Sequence, residues 1–568
     1  MYNTRSKSKK VSEKLAALVN IDPELSGDSG EDSATDEIPS VEGESFLHKS
    51  MCEVRVYISF SPFTENSDDS GTESEEEEEE SESEEEEENG EDCETAADGT
   101  VWLKTALADK SGQKRVGRAS AQNIIKIIPG PTPVAKRNIT DILTAFSSMI
   151  DEELLEYIRE CTEAEAHRSM GNNDWSISPN ELKAFIAVLY ARGAMGLKNM
   201  SVSNIFSTKY GPELIRGTMS RERFKSIMRY LRFDVKETRA ERLQTDKFAM
   251  ARQIWDKFIH NCRSCYAPGE NITIDEQLFP SKTRCPFTQF LPKKPDKFGI
   301  MFYLAVDLRS KFVLNGFPFI GNDEQCVYEG SAADKIVLRL LEPFFGNGYC
   351  ATMDNFFTSP ISAKVLKDKR ITVVGTVNKN RRWLPPTARK KNAGLTLHET
   401  ILFAGPDNEI LTLYQSKKSK LIGVFSTFHD SVVVGNKTNK KPDTIEYYNN
   451  TKYGVDITDG MAKAHSVKAA SRRWPVHVFY NILDLAAINA WILYREVTGK
   501  KISRIKYLLS LADDLRKNYI TSKSAPEKRP LILPDSPNKK IMTSSGCRPI
   551  CQTPKCRNKS LGMGLEIK

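Results

Sequence analysis

The chain has 568 residues, of which 28% are charged and 39% apolar, a composition that indicates several domains with a disordered fraction. Residues 1–100 hold 7 Lys or Arg against 31 Asp or Glu, a net charge of −24, whereas residues 101–568 carry +29. A basic body behind an acidic arm favours a polyanion as the partner of the body, but a merely soluble basic protein would show the same balance.

The sequence does not have the features expected of a secreted protein. The opening MYNTRSKSKK is basic and lacks the apolar core of a signal peptide. The 11 cysteines are few for this length and show no disulfide-framework spacing. We therefore expect a reducing compartment, either cytosol or nucleus.

Residues 1–128 are predicted to form a disordered acidic arm. The tract ESEEEEEESESEEEEE, Glu73 to Glu88, cannot collapse, because like charges repel and nothing apolar offsets the chain entropy. One island, MCEVRVYISFSPF at Met51–Phe63, alternates like a strand and does not fit its surroundings. It is either a binding segment or a misjudged exon.

Residues 129–268 have helical periodicity and are predicted to form a dimerisation and DNA-binding region. In SRERFKSIMRYLRFD, four basic residues fall on one face at helical spacing, opposite an apolar stripe. These are Arg221, Lys225, Arg229 and Arg232. Such a stripe can lie along DNA phosphates, and the alternative is a solvated outer face.

From residue 269 the period changes to two and then alternates with helices. The order β-β-β-α-β-α-β over residues 269–377 predicts an α/β fold with an RNase H-like mixed sheet. Residues 378–440 break the pattern and predict a β-rich insertion, and residues 441–510 predict the second part of the same catalytic domain. Residues 511–568 predict a basic linker and a cysteine-containing tail.

The longest apolar run, WPVHVFYNILDLAAINAWILY, is predicted to be a largely buried helix and not a membrane span. His477, Asn481 and Asp484 recur in it at helical spacing on one face. No membrane is therefore expected among the partners.

Four aspartates fall where an RNase H-like arrangement would bring them together. Asp275 follows the first strand, Asp354 follows the strand YCATM, and Asp456 and Asp459 share one helical face. Such a cluster could hold two Mg²⁺ or Mn²⁺ ions for in-line attack on a phosphodiester. The alternative is that each is an ordinary strand-end or helix-start residue. Glu276 is expected to point to the opposite face and is not assigned to the metal.

Several motifs resemble the transposase of the piggyBac family, in the family's order and over about residues 138–499. They are ITIDEQL, RCPF, LPKKPDKFGI, MDNFFTS, VGTV, TKYGVDITDGM, SRRWP and MSRERFKSIMRYLRFD. The resemblance implies a DDD catalytic domain with Asp275, Asp354 and Asp456 as catalytic residues and Asp459 as a further acidic residue. It also implies cut-and-paste transposition at TTAA sites with hairpin intermediates.

The same resemblance adds candidate contacts to double-stranded DNA, at transposon ends and at the target. Trp474 could stack on a distorted base, or it could be a core residue at a helix start. The basic candidates, besides Arg221, Lys225 and Arg229, are Lys379, Arg381, Arg382, Arg472 and Arg473.

The tail departs from the family, whose C-terminus carries a zinc module. Cys547, Cys551 and Cys556 are too few for a zinc site, which needs four ligands, so the module is expected to be truncated and zinc binding is doubtful. Cys262 and Cys265 are interpreted as structural or incidental.

Three functions remain open at this point. The first, which we adopt, is a nuclear piggyBac-type DNA transposase with a homodimer as the expected assembly. The second is a domesticated, transposase-derived nuclear protein that binds DNA or chromatin, with the acidic arm contacting histone tails, and does not cut. The third is an RNase H-type nuclease acting on RNA, which a preference for duplex DNA over RNA–DNA hybrid would exclude.

Overall fold

The computed structural model describes residues 93–107, 124–292, 294–321, 328, 330–390, 394–436 and 438–524. The chain divides into two compact units, Met1–Tyr519 and Ile520–Lys568. Of the second unit, only residues 520–524 are described. The Glu73–Glu88 tract, the Met51–Phe63 island and the three tail cysteines lie outside the described residues.

The helical part of the first unit begins where the periodicity predicted it. The helices run as follows: α1, Pro133–Asn138; α2, Ile142–Ser147; α3, Glu152–Met170; α4, Pro179–Ala194; α5, Val202–Ile205; α6, Glu213–Arg216; α7, Arg221–Tyr230; α8, Arg239–Thr245; α9, Ala249–Cys265; α10, Ala332–Leu341; α11, Pro360–Asp368; α12, Pro386–Arg389; α13, Asp443–Thr451; α14, Gly454–Ala464; α15, Trp474–Thr498; α16, Arg504–Ser524. Two short 3₁₀ helices cover Leu197–Asn199 and Glu342–Phe344.

The strands form one large mixed sheet and a two-stranded ribbon of β3 and β4. Their bounds are: β1, Cys93–Thr95; β2, Val101–Thr105; β3, Gly130–Pro131; β4, Tyr266–Ala267; β5, Asn271–Pro280; β6, Thr288–Phe290; β7, Phe298–Asp307; β8, Val313–Pro318; β9, Cys350–Met353; β10, Thr372–Thr376; β11, Thr400–Ala404; β12, Ile410–Lys417; β13, Lys420–Ser426. The order in the large sheet is β1-β2-β11-β12-β13-β10-β9-β5-β7-β6, with β8 paired to β7.

The centre of this sheet confirms the predicted succession of strands and helices, with the short β6 added. β9 runs parallel to both β5 and β10, whereas β7 runs antiparallel to β5. Every residue of β7 after Phe298 is buried. A strand buried on both faces reads as a continuous apolar run, and this explains the sequence FGIMFYLAV. The parallel β9–β5 pair brings the end of β9 beside the middle of β5.

The β-rich insertion has the predicted strands, and they continue the same sheet. β13 pairs antiparallel with β10, from Val374 opposite Ser426 to Thr376 opposite Val424. β12 and β11 follow as antiparallel neighbours. The insertion therefore widens the central sheet, and the segment that follows β10 is fixed to it.

The prediction that residues 1–128 are disordered is wrong for residues 93–105. β1 and β2 form a hairpin, and β2 pairs with β11 of the insertion. Trp102 is fully buried, and its Nε1–H donates to the Trp383 carbonyl at 2.7 Å. Burial of apolar surface stabilises a fold by about 25 cal/mol per Å², so one fully buried tryptophan is enough to hold such a short hairpin in place.

The long apolar run forms α15 as predicted. In the described residues it is the one helix long and apolar enough to cross a membrane, and 94% of its most apolar window is buried within the fold. Asp484 on this helix accepts hydrogen bonds from the Ser466 hydroxyl and the Val467 N–H, at 2.5 and 2.8 Å. These bonds fix the loop between α14 and α15.

The predicted linker from residue 511 is wrong over its first 14 residues, which belong to α16. The helix forms because apolar residues recur at helical spacing within IKYLLSLADDLRKNY. Tyr507, Leu511 and Leu515 are each at most 2% exposed.

Candidate active site

Asp275 lies in the middle of β5, opposite Leu304 of β7. The flanking Ile272 and Ile274 are buried, and β-branched residues of this kind favour the strand. The Asp275 Oδ1 accepts a hydrogen bond from the Glu276 N–H at 2.8 Å. Burial raises the pKa of the Asp275 carboxyl well above its usual range, and the nearby Glu276 and Asp354 charges raise it further.

Asp354 follows β9, in the first turn of the chain beyond the strand. Its Oδ1 accepts from the Phe356 N–H at 2.9 Å, and its carbonyl accepts from the Thr358 hydroxyl at 2.8 Å. Burial, followed by the charge of Glu276, raises the pKa of Asp354 to about 6. The carboxylate is thus held rigidly next to other negative charges.

Asp456 comes from the first turn of α14. A Cβ at Gly454 would lie 2.5 Å from the Thr273 Oγ1, so glycine is needed for this helix to pack so closely on β5. The Thr273 hydroxyl in turn donates to the Thr451 carbonyl at 2.8 Å. Burial raises the pKa of Asp456, and the Asp459 and Glu276 charges act in the same direction.

The three aspartates meet at one cavity of about 180 Å³. The prediction that Asp275 follows its strand is wrong, because β5 continues to Pro280. The parallel β5–β9 pair and α14 nevertheless bring the three aspartates together. The cavity is lined by Ile274, Asp275, Met353, Asp354, Tyr448, Lys452 and Asp456.

Glu276 also faces this cluster, contrary to the expectation that it would point away. Carboxylate oxygens of Asp275, Glu276 and Asp354 lie within 4.8 Å of one another. The pairing of β5 with β9 ends at Thr273, whereas the pairing of β5 with β7 continues to Pro280, so Glu276 lies on a strand with one open edge. Strict alternation along the strand could not indicate this.

Lys294 is a cation at the cluster that the sequence analysis did not single out. It lies between β6 and β7, and its Nζ is 2.9 Å from the Glu276 Oε1. Burial opposes the charge of this ammonium, but Glu276, Asp275 and Asp456 together raise its pKa. For Glu276 burial likewise opposes the charge, and the hydrogen bonds with Asp275 and Lys294 lower its pKa. The motif LPKKPDKFGI contains Lys294, and its resemblance to the piggyBac family could have indicated this residue.

Asp459 shares a helical face with Asp456 but does not line the cavity. Its Oδ1 accepts from the Gln277 Nε2 at 3.2 Å, and its Oδ2 is 2.7 Å from the Lys463 Nζ. Its role as a metal ligand therefore stays a prediction.

The basic stripe on α7 is exposed for Arg221, Lys225 and Arg229. Arg221 and Lys225 both contact Glu222, at 2.8 and 3.5 Å. Arg232 lies beyond the end of the helix and pairs with Glu165 at 2.6 Å. The stripe is thus three residues long, and its contact with DNA stays a prediction.

The insertion brings its basic segment to the Asp354 turn. The Arg381 guanidinium donates to the carbonyls of Asn355 and Phe356 at 3.3 and 3.0 Å. Lys379 and Arg382 are exposed.

The residues of the SRRWP motif lie in different environments. Arg472 is exposed, whereas Arg473 donates to the Leu231 carbonyl at 2.6 Å and ties α15 to the end of α7. Burial lowers the pKa of Arg473 to about 10. Trp474 is 7% exposed and packs on Phe248 and Phe287, so the structure places it in the core.

Comparison with known proteins identifies relatives among transposases and piggyBac-derived proteins. Residues 143–491 match the family model described as Transposase IS4. Human PiggyBac transposable element-derived protein 3 is 22% identical over 430 residues, which cover 72% of this chain and 68% of the relative. Human PiggyBac transposable element-derived protein 2 is 23% identical over 367 residues, covering 62% and 61%.

A solved structure is also similar. It is described as the cryo-EM structure of the piggyBac transposase synaptic complex with hairpin DNA. The two chains are 31% identical with a TM-score of 0.66, and the match covers 71% of this chain and 86% of that one.

Proposed function

Because the chain belongs to the piggyBac transposase family, we propose that it is a DNA transposase that cuts and joins DNA strands in cut-and-paste transposition at TTAA sites. The observation that carries this proposal is the convergence of Asp275, Asp354 and Asp456 on one cavity from β5, β9 and α14. Scattered strand-end aspartates would not share a cavity, and a carboxylate cluster is what phosphodiester chemistry with Mg²⁺ or Mn²⁺ requires.

The residues present fit two divalent cations. Carboxylates are the hard oxygen ligands that these ions take. Burial and, after it, the neighbouring carboxylate charges raise the pKa values of Asp275 and Asp354, and a bound cation would offset both effects. Asp275, Asp354 and Asp456 would hold the metal, with Glu276 close enough to take part. When bound, the metal would activate the attacking oxygen and stabilise charge on the phosphate.

The remaining parts of the proposal concern partners and location. The exposed Arg221, Lys225 and Arg229 on α7, together with Lys379 and Arg382 of the insertion, would hold the phosphates of duplex DNA. Arg472 would add to them near the start of α15. We place the protein in the nucleus, where its substrate lies, and propose a homodimer, since two transposon ends have to be handled together.

An excision assay tests the proposal. A donor plasmid carries a marker between the genomic flanks of the gene, and repair of the empty site is scored in cells that express the full chain. We expect excision that restores TTAA, and none with Asp275→Asn, although this variant still binds DNA. Normal excision by Asp275→Asn would show that the Asp275 carboxylate is not catalytic.

A second candidate is a domesticated DNA-binding or chromatin-binding protein that no longer cuts. It is favoured by the names of the curated relatives, which are transposable element-derived proteins. In that case the wild-type chain binds duplex DNA and the excision assay yields no empty site.

Lys294 gives a prediction for the metal site itself. Lys294→Met should bind Mn²⁺ about two- to fivefold more tightly in the absence of DNA, because a competing cation 2.9 Å from Glu276 is removed and a partly exposed pair is worth up to about 1 kcal/mol. The measurement is a titration of free Mn²⁺ by electron paramagnetic resonance. Lys297→Met is the control, since Lys297 is exposed in the same hairpin and has no ion-pair partner in the described part of the chain. Unchanged or weaker affinity in Lys294→Met would contradict the prediction.

A further inference from the structure

We propose that Phe356 and Arg381 form a binding site for one unpaired nucleotide at the rim of the aspartate cavity. The base would stack on the Phe356 ring, and the adjoining phosphate would contact the Arg381 guanidinium. This inference rests on the proposed function, because it assumes that DNA is delivered to Asp354. It goes further in assigning the ligand, a nucleotide out of the duplex stack, and the two side chains that receive it.

Phe356 is an exposed aromatic ring on a rigid support. It is 47% exposed, although a phenyl ring is stabilised by burial. Its N–H donates to the Asp354 Oδ1, and its carbonyl accepts from Arg381. The same turn thus carries a candidate metal ligand and the ring, two residues apart. An exposed side chain of this kind pays little conformational entropy when it binds.

The Phe356 ring packs on the hydrophobic core. Phe357 is fully buried and stands perpendicular to Phe356, with 4.9 Å between the ring centroids. Phe357 in turn packs on Tyr303 of β7 at 5.8 Å. This chain of contacts fixes the Phe356 ring while leaving nearly half of its surface open. A nucleobase can stack on such a surface whatever its sequence, since every base has a π-face.

Arg381 supplies the charge that a nucleotide needs. One of its terminal nitrogens, Nη2, makes both bonds to the Asn355 and Phe356 carbonyls. Among the described residues no hydrogen-bond or ion-pair partner of its Nε or Nη1 is found. Guanidinium donors held in this way suit the two oxygens of a phosphate. Base and phosphate would thus be held on either side of the Asp354 turn.

The aromatic residue that the sequence favoured for stacking is Trp474. It is 7% exposed and lies against Phe248 and Phe287, so a base could reach its ring only after the core opened. Phe356 needs no such opening.

The test measures base capture without strand cleavage. The probe is a DNA hairpin with one unpaired 2-aminopurine, bound to the full chain in Ca²⁺, and stacking is read as quenching of its fluorescence. We expect quenching by the wild type, none by Phe356→Leu, and restoration by Phe356→Trp. Binding of the unpaired probe should weaken about tenfold or more in Phe356→Leu, whereas binding of a fully paired duplex stays the same. Arg381→Met should weaken binding of the unpaired probe as well.

Phe290→Leu is the matched control, because Phe290 is 54% exposed but lies at the β6 edge of the sheet. Equal quenching by the wild type and Phe356→Leu overturns the inference and leaves the proposed function standing. Phe356-dependent capture by a chain that does not cut in Mg²⁺ supports the inference and removes the catalytic proposal. A wild type that binds no DNA overturns both.

Discussion

We expect Asp354→Asn to abolish DNA excision while the chain stays at least as stable as the wild type. Asp354 is half-buried among other carboxylates, and its pKa is raised to about 6, so its charge destabilises the metal-free fold. Asparagine keeps the shape and the oxygen that accepts from the Phe356 N–H. It removes the charge that would hold the metal, and loss of one such electrostatic group lowers rates by about 10²–10³-fold or more.

The measurements are excision frequency and the midpoint of thermal unfolding. Asp368→Asn is the control, because Asp368 is exposed at the end of α11 and has no hydrogen-bond or salt-bridge partner among the described residues. It should leave both quantities unchanged. Excision by Asp354→Asn at more than a tenth of the wild-type frequency, at equal expression, would show that Asp354 is not a metal ligand.

Trp102→Ala should destabilise the chain by about 3–5 kcal/mol, the usual loss for a fully buried tryptophan. The ring is 0% exposed, lies 6.2 Å from Trp383 between ring centroids, and donates to the Trp383 carbonyl. It holds the β1–β2 hairpin on the insertion. Removing it leaves a cavity and an unpaired carbonyl, and the pairing of β2 with β11 loses its anchor.

Urea unfolding followed by tryptophan fluorescence and circular dichroism measures this effect. Val101→Ala is the control in the same strand, since Val101 is 45% exposed and its replacement should change the free energy of unfolding by at most about 0.5 kcal/mol. Equal stability of Trp102→Ala and the wild type would mean that the hairpin contributes nothing to the fold.

The central sheet could be predicted because its local signals agree. Continuous apolar strands alternate with amphipathic helices, and this pattern has few solutions other than a mixed sheet covered by helices. The convergence of Asp275 and Asp354 followed from the parallel pairing of β5 with β9, although Asp275 lies within β5 and not at its end. The position of Asp456 followed once its helix had been placed beside them.

The β1–β2 hairpin could not be predicted from local pattern. Trp102 is buried while its neighbours Val101 and Leu103 are exposed, so one side chain carries nearly all of the apolar burial. The partner strand, β11, lies about 300 residues further along the chain. Contacts of that separation leave no local signal, and the acidic tract before the hairpin pointed towards disorder.

The expectation for Glu276 was wrong, whereas for Trp474 the sequence left a stacking role and a core position open and the structure places the residue in the core. Alternation along β5 predicted that Glu276 would point away from Asp275, but carboxylate oxygens of Asp275, Glu276 and Asp354 lie within 4.8 Å of one another. Trp474 is an aromatic residue that follows two arginines and lies close to Asp456 in sequence, and these features are typical of a residue that stacks on a base. Its burial depends on Phe248 and Phe287 from other elements, which spacing cannot reveal.

The measurement that tests the central claim most directly is Mn²⁺ binding by the full chain. Free Mn²⁺ is followed by electron paramagnetic resonance for the wild type and for the double variant Asp275→Asn/Asp354→Asn. We expect the wild type to bind up to two ions and the double variant to lose this binding while keeping its fold. Equal binding by both chains would show that the aspartate cavity is not the metal site.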